Sequence, residues 1–173
     1  MAIRHVAPGY RGALAFVVTA ITSNLLLAIA FLLVAPDKVP SHFNAIGAID
    51  SWSTKTTAAS SLLTVGAGLP ILMAIPWPWG KRPSLLNLPY KNDWIATGRR
   101  QGLTDRVVVF MRLLGGLMAL LADVILLVTL IDPKAESRAE IAPGWVLVAS
   151  IGIFVIGAGL CLWKVFRDLK PAW

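Results

Sequence analysis

Polar and apolar positions along this chain fall into long blocks, not the short alternations of a water-soluble domain. Residues 12–35 run for 24 positions without a charge. A second block, 56–77, opens with small and hydroxyl residues and closes on Pro76-Trp77-Pro78-Trp79 as the next loop begins. The third, 107–131, carries Arg112 and Asp123, and the fourth, 144–163, has no charge. About 20 apolar residues suffice to cross roughly 30 Å of hydrocarbon, and each block meets that length. Lipid offers no partner to a backbone N–H or C=O, so the pattern predicts four helices. The fold class expected is all-α: a polytopic membrane protein with four transmembrane helices in an antiparallel bundle. No tandem repeat or internal boundary divides it, so residues 1–173 read as a single integral membrane domain.

Composition sharpens this picture. Hydrophobic residues make up 57% of the chain and charged residues 14%, with a mean hydropathy of +0.72. A soluble domain is about 45–50% apolar and about a quarter charged, so a water-soluble enzyme and a disordered chain are both excluded. Arg4 and Arg11 precede the first block, and Ala28-Ile29-Ala30 resembles a cleavage site. The block outlasts the usual signal-peptide core of about 7–15 residues, so an uncleaved anchor is expected. Cys161, the single cysteine, reads as a small buried hydrophobe.

The formal charge of +7 has a topological origin. Twelve Lys and Arg fall on one side of the four spans, in the amino-terminal tail, the 78–106 loop, the carboxy-terminal tail and Arg112, which can snorkel outward. Only Lys38, Lys55, Lys134 and Arg138 fall on the other. The positive-inside bias then places both termini in the cytoplasm and the 36–55 and 132–143 loops outside. No nucleic-acid partner is needed to explain the charge. The 78–106 loop mixes Leu85, Leu86, Leu88, Trp94 and Ile95 with cations, which suits anionic lipid headgroups on the inner face. Trp77, Trp79, Trp94, Trp145, Trp163 and Trp173 fall near the expected interfaces and read as anchors.

The 36–55 loop is the most distinctive stretch. Pro36 and Pro40 restrict φ. Asn44, Gly47 and Asp50 are turn formers, while Phe43 and Trp52 are apolar anchors able to fold the loop onto the helix ends. Ser53 or Thr54 is placed to cap the second span.

Pro40, His42, Phe43, Asn44, Gly47, Asp50, Trp52 and Lys55 form the pattern P-x-H-F-N-x-x-G-x-x-D-x-W-x-x-K directly after a first span. This resembles a bacterial membrane-protein family of unknown function related to the amino-terminal domain of SdpI-type immunity proteins. A second stretch, carried by Asn87, Pro89, Lys91 and Trp94, is similar to the loop after the second span in that family. The resemblance covers about residues 12–100 and implies topology, motif placement and a bacterial cytoplasmic-membrane location. The further membrane half of SdpI-type proteins with an immunity role has no counterpart in this sequence.

The chemistry available is sparse. His42, Asn44 and Asp50, with Asp37 nearby, include metal-ligand types, but their spacing fits no standard site. The other histidine, His5, falls on the opposite side. No metal, cofactor or catalytic residue is expected. In the structural reading His42 bonds a loop carbonyl and the Asn44 and Asp50 side chains close turns. In the functional reading the loop is an outward recognition cap.

Asp123 stands inside the third span, where a carboxylate costs at least about 2.5–3.5 kcal/mol on insertion scales. Arg112, Gly116 and Ala119 share its helical stripe, a small and polar face suited to packing inward. Asn24, Ser23, Ser60, Ser61, His42 and Lys55 are its candidate partners. Three functions follow. The first is non-enzymatic recognition of an extracellular peptide or membrane ligand, or an accessory role in a membrane complex. The second is a proton- or ligand-coupled transporter module built on Asp123, as a homodimer. The third is a membrane enzyme using His42 and Asp50.

Overall fold

A computed structural model describes residues 9–44, 49–75, 88, 90–131 and 142–170. Four helices in it are long and apolar enough to cross a membrane: Tyr10–Val34, Lys55–Ala74, Arg100–Leu130 and Val148–Leu169. They coincide with the four apolar blocks, because an uninterrupted apolar run of that length has few other ways to satisfy its backbone.

The first helix, α1 (Tyr10–Val34), begins after Gly9 in the left-handed region at φ 81° and stops at Ala35, whose backbone is extended. The stop follows from Pro36, since a proline disfavours helical geometry at the residue before it. The buried positions of α1 are Ala13, Val17, Ala20, Asn24, Ala28 and Phe31, spaced three or four apart on one stripe. Leu25, Leu26, Ile29, Leu33 and Val34 lie exposed on the remainder, as suits a surface facing hydrocarbon.

The second span is a composite of α2 (Lys55–Leu63), a π-helical segment (Thr64–Gly68) and α3 (Leu69–Ala74). Pro70 accounts for the wide turn. It has no N–H for an i→i−4 bond, and its ring crowds the preceding turn. The ladder relaxes to i→i−5 there, the Leu69 N–H reaching the Thr64 carbonyl. At the start of α2, Thr54 is the capping residue, its hydroxyl accepting from the Thr57 N–H at 3.2 Å.

The third span belongs to α5 (Arg100–Ile131), preceded by the short α4 (Lys91–Ala96). At 32 residues, α5 is about 48 Å long, longer than a hydrocarbon layer of about 30 Å, and its first turns carry Arg100, Asp105 and Arg106. It packs against α1, the π-helical segment, α3 and α6 (Ala142–Leu169). Close approach depends on small residues. Gly115 lies against Pro70, and a Cβ on Gly116 would collide with the Phe16 ring. Helix α6 leans chiefly on α5 and leaves Ile151, Ile153, Val155, Ile156 and Leu160 exposed. Cys161 is half-buried in a cleft with Phe16, Leu113, Leu117, Gly157 and Leu160, not fully enclosed as its apolar surroundings suggested.

The all-α expectation needs one correction. The segment between α1 and α2 contains an antiparallel hairpin, β1 (Lys38–Phe43) paired with β2 (Ile49–Thr54). Pro40 argues against a strand in the sequence, yet a two-stranded ribbon consists of edges, where a residue lacking N–H is tolerated. Register shifts fall on both sides of His42, and these irregularities break the simple alternation by which strands are read.

Candidate functional site

Both ends of the hairpin are tied to helices. The Lys55 N–H donates to the Asp37 carbonyl at 3.0 Å. The Lys55 ammonium lies 3.3 Å from Asp37 Oδ1 and 3.4 Å from the Ala35 carbonyl. A cation at the last carbonyls of α1 is favoured by the helix dipole. The apolar anchor is Val39, which is fully buried among Phe31, Ala35, Ala28, Ala59 and Leu126. This corrects the assignment of that role to Trp52, which is 40% exposed. Strand alternation explains the difference: Val39 occupies the inward position of β1, whereas Pro40 and Trp52 are cross-strand partners. The backbone of Phe43 ends β1; its side chain, like Gly47, lies outside the described residues.

On the exposed part of the hairpin, His42 Nδ1 meets Asp50 Oδ1 at 2.5 Å. The partner that the structure gives His42 is thus Asp50 and not a loop carbonyl; the turn expected to be closed by Asp50, at 45–48, lies outside the described residues. The two side chains are 67% and 43% exposed, so the pair lies on the molecular surface. Beside it the Ser41 hydroxyl donates to that of Ser51 at 3.2 Å. Asn44 follows the end of β1. Asp37 pairs with Lys55 and not with His42. Among the described residues no group of three or more His, Cys, Asp or Glu comes together as a metal site.

The intramembrane polar residues divide into two separate knots. Asn24, on the buried stripe of α1, donates its carboxamide N–H to Asp123 Oδ1 at 2.9 Å. Of the partners considered for Asp123, Asn24 is the one the helix crossing selects. The Ser60 hydroxyl instead bonds back to the Thr56 carbonyl of its own helix at 2.8 Å. A Cβ on Gly66 would run into the Asn24 carboxamide, so the π-helical segment forms the wall behind the pair.

Arg112 forms the second knot. It is 4% exposed, and does not snorkel out to water as its position suggested. Its guanidinium donates to the carbonyls of Ala74 at 3.2 Å and Tyr10 at 3.3 Å, and to the Tyr10 hydroxyl at 3.3 Å. It also stacks 4.2 Å from the Tyr10 ring centroid. Eleven residues separate Arg112 from Asp123, about 16 Å of helix, so one stripe serves two polar contacts at different depths.

Of the second loop motif, Asn87 and Pro89 lie outside the described residues. Lys91 opens α4, and Trp94 on the same short helix donates its indole N–H to the Leu169 carbonyl at 2.9 Å. Arg106 stacks 4.5 Å from the Trp94 ring centroid. Leu103, Val165 and Leu169 complete the small core around that contact. Trp94 therefore faces protein at the base of α5 and α6.

Residues 14–67 match a protein-family model described as a domain of unknown function (DUF1648). The match takes in α1 from Leu14, the hairpin, α2 and the π-helical segment through Ala67. It ends one residue past Gly66, the wall behind Asn24. No curated protein and no solved structure matches the chain.

Sequence reasoning missed Val39 and the packing of Gly66 against Asn24. Val39 is inconspicuous between two polar-flanked prolines. The sequence does show that Gly66, Gly68 and Pro70 could loosen the second span, and the π-helical segment lies there.

Proposed function

We propose that this is a non-enzymatic protein of a bacterial cytoplasmic membrane that presents the 38–54 hairpin on the outer face for recognition. In this reading the four spans are antiparallel and both termini are cytoplasmic, as the distribution of Lys and Arg favours. The reading includes kinship with the amino-terminal domain of SdpI-type immunity proteins, supported by the P-x-H-F-N-x-x-G-x-x-D-x-W-x-x-K pattern. The ligand class is an extracellular peptide, a membrane ligand or a subunit of a membrane complex.

One observation carries this reading: the exposed His42–Asp50 pair is mounted on a hairpin whose base is fixed by Val39 and Lys55. An exposed ion pair adds about 0–1 kcal/mol to stability, so folding alone gives little reason for that pairing. A fixed imidazole–carboxylate pair beside exposed Trp52 offers a donor, an acceptor and an aromatic face to a ligand.

The experiment compares wild type, His42→Ala and Asp50→Ala in native membranes, by crosslinking from the hairpin followed by affinity purification. Equal membrane insertion with loss of the crosslinked partner in both variants supports recognition. An unchanged partner set in both variants rejects it.

A further inference from the structure

The Asn24–Asp123 contact leaves an accounting problem. One hydrogen bond joins the carboxamide nitrogen to Asp123 Oδ1. The two remaining oxygens, Asn24 Oδ1 and Asp123 Oδ2, are buried without a hydrogen-bond partner. Asn24 is 0% exposed and Asp123 4%, so bulk water does not supply the missing donors. Leaving a buried polar group without its hydrogen bond is costly, more so when the group is charged.

We propose that Asn24 and Asp123 form a proton-binding site within the membrane-spanning part of the molecule, with Asp123 held as the carboxylic acid. A proton on Oδ2 turns that orphaned acceptor into a donor. The acceptor it then needs is the orphaned Asn24 Oδ1 of the same pair. One proton satisfies both atoms and closes a two-bond acid–amide ring. The balance is simple: carboxylate plus proton gives carboxylic acid, with no other bond made or broken.

Two other occupants fit less well. A bridging water needs two to four polar partners and room for its own volume, whereas Gly66 is packed directly against the carboxamide. A metal cation meets the same crowding. Nor, among the described residues, does a cation pair with the Asp123 carboxyl group. Among the described residues, the charged groups on the packed helices other than Asp123 itself stand toward the helix ends, apart from Arg112. They are Arg11 on α1, Lys55 on α2, Arg100, Asp105, Arg106 and Arg112 on α5, and Lys164, Arg167 and Asp168 on α6. The π-helical segment and α3 carry none. Arg112 is about 16 Å away along α5 and is held by Tyr10 and Ala74.

The site is distinct from the hairpin and does not depend on the recognition reading. Loss of the proton would leave both oxygens without a donor at the crossing of α1 and α5, so proton occupancy is coupled to the packing of those helices.

The test is infrared spectroscopy of the full chain in phosphatidylcholine vesicles, in neutral H2O and D2O buffers. The expected result is a protonated-carboxyl C=O band that shifts down in D2O and is absent in Asp123→Asn. Asp105→Asn, a control because Asp105 is also buried with an orphaned oxygen, leaves that band in place. Asn24→Ala moves the band to higher frequency as the carbonyl loses its amide donor, and this holds as a readout if Asp123→Asn fails to fold. Absence of a protonated-carboxyl band in the wild type overturns the proposal. So does a band removed by Asp105→Asn or unmoved by Asn24→Ala.

Discussion

The Trp94 indole N–H and the Leu169 main-chain carbonyl, 75 positions apart in the chain, form a hydrogen bond of 2.9 Å. The carbonyl is at the carboxy-terminal end of α6, where the last turn has no intrahelical donors. Trp94 thus closes α6 while its ring fills the space between Arg106 and Leu103. Trp94→Phe keeps most of the ring and removes the donor, so we expect a loss of about 1 kcal/mol. Trp94→Ala also removes the packing, with an expected loss of about 3–5 kcal/mol. Denaturant unfolding in detergent micelles measures both; wild-type stability in Trp94→Phe would show that the hydrogen bond contributes nothing, and equal losses that the ring's packing adds nothing beyond it.

Gly66 and Asn24 make a second testable pair. Gly66→Ala drives a methyl group into the Asn24 carboxamide, and overpacking of this kind costs about 1–3 kcal/mol. In an Asn24→Ala background the same substitution has space, so its cost falls below about 1 kcal/mol. A double-mutant cycle on thermal unfolding reads the coupling. Additive effects would mean that α1 and the π-helical segment adjust independently.

Arg112 satisfies acceptors on two other spans, Tyr10 on α1 and Ala74 on α3. Arg112→Met preserves much of the stem but leaves those carbonyls without a charged donor. Hydrogen bonds to charged groups contribute about 1.5–3 kcal/mol each, so the variant should unfold at markedly lower temperature. Arg112→Lys, lacking the planar fork, should recover only part of the loss. Wild-type stability in Arg112→Met would refute the structural role.

Val39 separates the fold of the hairpin from its function. Truncation to alanine at this fully buried position should cost about 2 kcal/mol by the usual transfer terms. It should also raise protease sensitivity between α1 and α2. His42→Ala and Asp50→Ala, on the exposed side, should leave protease sensitivity near wild type. Equal cleavage of all three variants would remove the distinction between anchor and displayed pair.

These contacts also show what a one-dimensional reading captures. The spans were legible because lipid leaves an apolar run of about 20 residues few alternatives to a helix. The hairpin was not, because Pro40 and the register shifts around His42 erase the alternation of a strand. Asn24 appeared among several partners for Asp123, and only the approach of α1 to α5 selects it. The direction taken by Arg112 was misread for a related reason: sequence places it one turn inside a span but does not show Tyr10 and Ala74 converging there. Trp94 near a helix end looks the same whether it faces headgroups or the end of a neighbouring helix.

The account rests most heavily on which side of the membrane the hairpin faces. Ser51 is exposed on β2, so Ser51→Cys in a Cys161→Ala background offers one accessible thiol. Treating intact cells with a membrane-impermeant maleimide should label it fully, with no further labelling after lysis. Protection in intact cells followed by labelling on lysis would contradict the account and turn the molecule over.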